Sequence, residues 1–137
     1  MPMGGETGRW RCKVNAKYDK TFVIGSAFII DIKYYDADRK LLAFPAKYTS
    51  VDMVFTNVGN DKKLVLNGVG SVNGGRVRIE VSANAWDKAE SGFFRNDVSD
   101  IFGCGGKWHN YSVWLKSSVS NDELNILRGA AKLVRGK

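Results

Sequence analysis

Asn73-Gly74-Gly75-Arg76-Val77-Arg78-Ile79-Glu80-Val81-Ser82 joins a turn signal to a strictly alternating strand. An Asn-Gly-Gly run supplies residues that accept positive φ, as a tight hairpin reversal requires. Beyond it Val77, Ile79 and Val81 fall on one side and Arg76, Arg78 and Glu80 on the other, the period of a half-buried strand. The same period recurs on the N-terminal side. Val51, Met53 and Phe55 alternate with Asp52, Val54 and Thr56, and Lys63 to Leu66 reads as a short strand ended by Gly68 and Gly70. From Ala27 to Tyr35, Phe28, Ile30, Ile32 and Tyr34 line one face while Ile29, Asp31, Lys33 and Tyr35 line the other. Asp36 to Lys40 is a polar turn, and the piece from Leu41 to Phe44 is stopped by Pro45, which cannot donate to a central ladder.

On the C-terminal side, Asn84 to Glu90 predicts a helical turn or two capped by Ser82 or Asn84. Residues 91–107 are rich in glycine and lack a period, and Phe93-Phe94 and Ile101-Phe102 predict packing on the body. A loop of that length in a compact domain often contacts a partner. Tyr111, Val113 and Leu115 alternate with Ser112, Trp114 and Lys116. A polar loop from Ser117 to Asp122 then returns the chain through Leu124 to Val134, with a bulge expected at Gly129. Seven to eight short strands with regular turns and at most one short helix predict an all-β fold, an antiparallel β-sandwich of immunoglobulin-like or jelly-roll-like type. With 137 residues one domain is expected. Residues 1–20 form a basic N-terminal arm and first strand. Residues 21–137 form the sandwich, with the long loop at 91–107 and a basic C-terminal end.

The formal net charge is +7, and its surplus lies at the two ends. Residues 1–20 hold Arg9, Arg11, Lys13, Lys17 and Lys20 against Glu6 and Asp19. Residues 128–137 hold Arg128, Lys132, Arg135 and Lys137 with no acid, and residues 21–127 balance twelve basic against twelve acidic side chains. A neutral body with two extended cationic arms predicts a docking part, since an electrostatic catalytic cleft would place charge in the middle of the fold. Apolar side chains make up 44% of the chain, too many for a disordered protein. No apolar run approaches the ~18–20 residues of a membrane span. Met1 to Thr7 lacks the apolar stretch of a signal peptide, which predicts a protein made and kept in a reducing cytoplasm or in something assembled there. Cys12 and Cys104 are then thiols rather than a disulfide, with Cys12 facing inward between Trp10 and Val14.

Tests for chemistry fail in turn. His109 is the sole histidine, and no Ser sits in a nucleophile elbow, so His109 reads as a strand residue. Gly103-Cys104-Gly105-Gly106-Lys107 lacks the first glycine and the Ser or Thr of a phosphate-binding loop, since Ile101 and Trp108 stand there. Asp36 and Asp38 are spaced like the start of a calcium loop but lack its glycine and bidentate Glu. The chain reads as a non-enzyme without cofactor or metal. Trp10 and Tyr18 among the cations raise nucleic-acid binding, but lysines also blunt exposed sheet edges and no nucleic-acid motif is present, so this partner is not expected.

The order of segments resembles a known family. The pieces that carry the likeness are Ile32 to Lys40, Tyr48 through Phe55, Gly75 to Ser82, and the closing hairpin of Tyr111 to Leu115 with Asn125 to Val134, above all Leu127-Arg128-Gly129. They are similar to the β-sandwich domain of phage upper-baseplate proteins and their small relatives in tailed phages, a fold also found in some capsid decoration proteins. The likeness covers residues 20–135. Arg39 stands where that family favours glycine, and residues 91–107 exceed its usual connection. The resemblance implies a virion structural protein, assembled in the host cytoplasm, whose sandwich is a rigid spacer and whose arms and loops bind neighbouring virion subunits. The expected role is a tail or baseplate component that attaches fibres or neighbouring subunits, as a homo-oligomer or ring. Capsid decoration is the alternative, and a carbohydrate-binding module using Trp86, Trp108 or Trp114 a further one. The residues expected to meet partners are Arg9, Trp10, Arg11, Lys13 and Lys17 in the first arm, Phe93, Phe94, Lys107 and Trp108 in the loop, and Lys132 and Arg135 at the C-terminal end.

Overall fold

The computed structural model describes residues 16–94 and 109–135. Arg9, Trp10, Arg11, Cys12, Lys13, the pair Ile101-Phe102, Cys104, Lys107 and Trp108 lie outside the described residues. The strands are β1 (Ala16–Lys17), β2 (Lys20–Ile24), β3 (Phe28–Lys33), β4 (Tyr48–Asn57), β5 (Lys63–Asn73), β6 (Arg76–Val81), β7 (His109–Ser117) and β8 (Glu123–Arg135). The fold is all-β, as the alternation predicts, with one 3-10 turn at Ala83–Lys88 in place of the expected α-helical turn.

The strands form one mixed sheet in the order β1-β8-β7-β4-β5-β6-β3, with β2 also paired to β8. This differs from the expected antiparallel sandwich in two ways. First, β1 and β2 run parallel to β8, Lys17 beside Arg128 and Thr21 beside Lys132. Second, β5 does not stop at Leu66. It continues through Gly68 and Gly70, pairing β4 with its first half and β6 with its second. A register shift opposite Val51 and Met53, with Gly68 N donating to Asp52 Oδ1 at 2.9 Å, bends the strand rather than ending it. One bent strand thereby joins what would otherwise be two layers, and the sheet curls into a nearly closed barrel.

The inward residues are those the period predicts: Val51, Met53 and Phe55 of β4, Val77, Ile79 and Val81 of β6, and Tyr111, Val113 and Leu115 of β7 are buried. The Asn73-Gly74-Gly75 signal is a two-residue reversal with Asn73 opposite Arg76 and Gly74 at φ +63. Asp36 shapes the 36–40 turn by accepting at Oδ1 from the backbone N of Asp38 and Lys40, at 2.8 and 2.9 Å. Arg39 sits there at φ +64, a conformation glycine adopts freely.

The seam between β2 and β3 carries no ladder among the described residues. It is closed from inside. The Phe22 ring lies edge-on to Phe28 and Phe55, each with centroids 5.0 Å apart, and to Tyr111 at 5.4 Å. Such aromatic pairs add about 0.5–1.5 kcal/mol each beyond the area they bury.

One expectation about the ends is corrected. The C-terminal end is no arm as far as Arg135: β8 is hydrogen-bonded to β7 on one side and to β1 and β2 on the other. Residues 16–17 and Lys20, within the segment read as arm and first strand, do pair into the sheet. The bulge in β8 falls beside Leu127, where Val113 and Trp114 face Leu127 and Asn125, and not at Gly129.

Candidate functional site

Parallel pairing has a consequence that spacing along the chain conceals: described cations from the two ends share one ladder. Lys17, Lys20, Arg128 and Lys132 all lie along the ladder that β1 and β2 make with β8. Lys17, Arg128 and Lys132 are exposed, as is the nearby acid Asp19, whose Oδ1 accepts from Ala130 N at 2.9 Å.

The interruption between β1 and β2 builds the strip's geometry. Tyr18 N donates to Arg128 O at 2.8 Å, the Tyr111 hydroxyl donates to Tyr18 O, and Asp19 caps Ala130. Gly129 is the strand position that admits this crossing, for a Cβ there would lie 2.1 Å from Tyr18 O. Burial first, then the neighbouring Tyr18 and Asp19, push the Tyr111 phenol up to about 12, so the clamp stays protonated at any physiological pH. Beside the clamp an open cavity of about 420 Å³ is lined in part by Lys17, Asp19, Thr56, Asn110, Ser112 and Arg128, drawn from β1, the β1–β2 junction, β4, β7 and β8. Its walls mix the Lys17 ammonium, the Asp19 carboxylate and amide and hydroxyl groups with apolar Val54 and Ala130, a set suited to a partner surface that is itself partly polar.

Of the loop residues expected to meet partners, Phe93 is fully buried and faces the core, while Phe94 is half-buried against it. The Phe93 carbonyl receives Asn57 Nδ2 at 2.9 Å and His109 Nε2 at 2.7 Å, so Phe93 anchors the start of the long loop rather than presenting it. Trp86 is also core, its indole N–H donating to Ser26 O at 2.9 Å. Trp114 is on the outer face and half-buried, donating to Ser112 Oγ at 2.8 Å. Lys17 and Lys132 stand where a partner can reach them.

His109 opens β7 as a strand residue. Nε2 holds the proton it donates to Phe93, and Nδ1 has no hydrogen-bond partner among the described residues. Burial lowers its pKa from the ordinary 6.5. The unfolded chain therefore takes up a proton that the folded chain resists. Stability is complete above about pH 6.5 and falls as the pH drops below it. Urea unfolding should show this decline, and His109→Gln should flatten it; a midpoint equal at neutral and mildly acidic pH would contradict the assignment.

No family of known proteins matches this chain, nor does any curated protein. Among the described residues, no group of three or more His, Cys, Asp or Glu is placed to hold a metal ion, and no helix is long and apolar enough to cross a membrane.

Proposed function

We propose that this chain is a non-enzymatic structural module of a tailed-phage particle, a tail or baseplate component that attaches fibres or neighbouring subunits. One observation carries the reading: the described cations Lys17, Lys20, Arg128 and Lys132, drawn from both ends of the chain, lie along a single ladder, beside a cavity with mixed polar and apolar walls. A strip of that kind selects an acidic neighbour and fixes its register, while the neutral remainder of the barrel acts as a spacer. The resemblance of the segment order to upper-baseplate domains supports the same role. Capsid decoration uses the same physics at another address in the particle.

Immunogold electron microscopy of virions from the source, with antibody against this chain, is expected to label the tail tip or baseplate. Label spread over the capsid places the module among decoration proteins. Virions without label overturn the reading.

A further inference from the structure

We propose that the outer edge of β3 is a self-association surface that pairs antiparallel with β3 of a second copy, about a two-fold axis at Ile32. Tyr34 N donates to Gly75 O at 2.8 Å, which extends the β3–β6 ladder. By antiparallel alternation the backbone groups of Phe28, Ile30 and Ile32 then point at β6, and those of Ile29, Asp31 and Lys33 point away from it. No strand among the described residues pairs with that edge. The side chains around it are exposed and unusual for a strand left to solvent: Ile29 is 53% and Tyr35 45% accessible, with Asp31 and Lys33 between them.

Charge complementarity selects the occupant. Pairing must keep inward residues inward, which limits the possible registers. An axis at Asp31 opposes carboxylate to carboxylate, and one at Lys33 opposes ammonium to ammonium. An axis at Ile30 sets Ile29 against Asp31. Only the axis at Ile32 gives matches throughout: Asp31 opposite Lys33 on both sides of the axis, and Ile29 opposite Tyr35. A pairing between two identical edges is isologous and closes on itself, so it yields a dimer and not a fibre. Arg78 Nη1 lies 3.4 Å from Asp31 Oδ1, so the carboxylate enters the pairing already oriented from its own sheet.

The purified full chain tests this without any particle. Sedimentation velocity over a concentration series is expected to show dimers. Asp31→Lys alone and Lys33→Asp alone should each weaken association at least tenfold, because each opposes like charges across the axis; the double swap should restore it. Amide hydrogen exchange needs no variant: the Ile29, Asp31 and Lys33 amides should slow as dimers form. A wild-type monomer at every concentration, association indifferent to the single swaps, or a double swap that fails to restore it overturns the proposal. The outcome is separable from the particle reading, since a dimer absent from virions would sink only the latter.

Discussion

Gly129→Ala is expected to lower the unfolding free energy by about 1–3 kcal/mol and to detach residues 16–20 from the sheet. The added methyl would sit 2.1 Å from Tyr18 O and 3.1 Å from Asp19 Oδ1. Neither oxygen can retreat cheaply. Tyr18 O holds the Tyr111 hydroxyl, Tyr18 N holds Arg128 O, and Asp19 holds Ala130 N. Relief of the clash therefore breaks the clamp as a unit. Urea unfolding measures the loss, and a second readout identifies its cause. In the wild type the Tyr111 phenol is raised to about 12, so only the unfolded chain ionises near the ordinary value of 10, and stability falls as pH rises through that window. In the variant the phenol loses its cover and should titrate nearer 10, with the alkaline loss of stability reduced. A variant with wild-type stability and an unmoved phenol titration would show that the crossing at Gly129 is not tight.

Much of the fold was legible in the residues because period-two patterning is a local signal. The inward sets of β3, β4, β6 and β7 and the Asn73-Gly74-Gly75 reversal follow directly from sequence. What escaped depends on long-range pairing. Gly68 and Gly70 look like the end of a strand, yet the Asp52 carboxylate, sixteen positions away, captures Gly68 N and turns the ending into a bend. Gly129 reads as a bulge within β8, while its actual role, admitting the carbonyl of Tyr18, involves a residue over a hundred positions earlier. The burial of Phe93 has a similar origin, since its anchors Asn57 and His109 come from β4 and β7.

The site was half legible. Composition places the excess cations at the two ends, and spacing suggests two independent arms. Parallel pairing along β8 brings Lys17, Arg128 and Lys132, from both ends, onto one strip, and the physical consequence is large. Charges spread over separate tails act singly and are screened beyond about 10 Å at ordinary salt, whereas cations held on adjoining strands act on the same partner surface.

Reversing that strip with Lys17→Glu and Lys132→Glu tests the account most directly. Both side chains are exposed, so the fold should survive, with a cooperative unfolding transition near that of the wild type. Incorporation into particles, measured by quantitative mass spectrometry of purified virions, is expected to fall at least tenfold, the equivalent of about 1.4 kcal/mol of lost docking. The control is Lys62→Glu with Lys63→Glu, which reverses the same charge at the turn between β4 and β5 and should incorporate normally. Normal incorporation of the strip variant, or an equal loss in the control, would contradict the account.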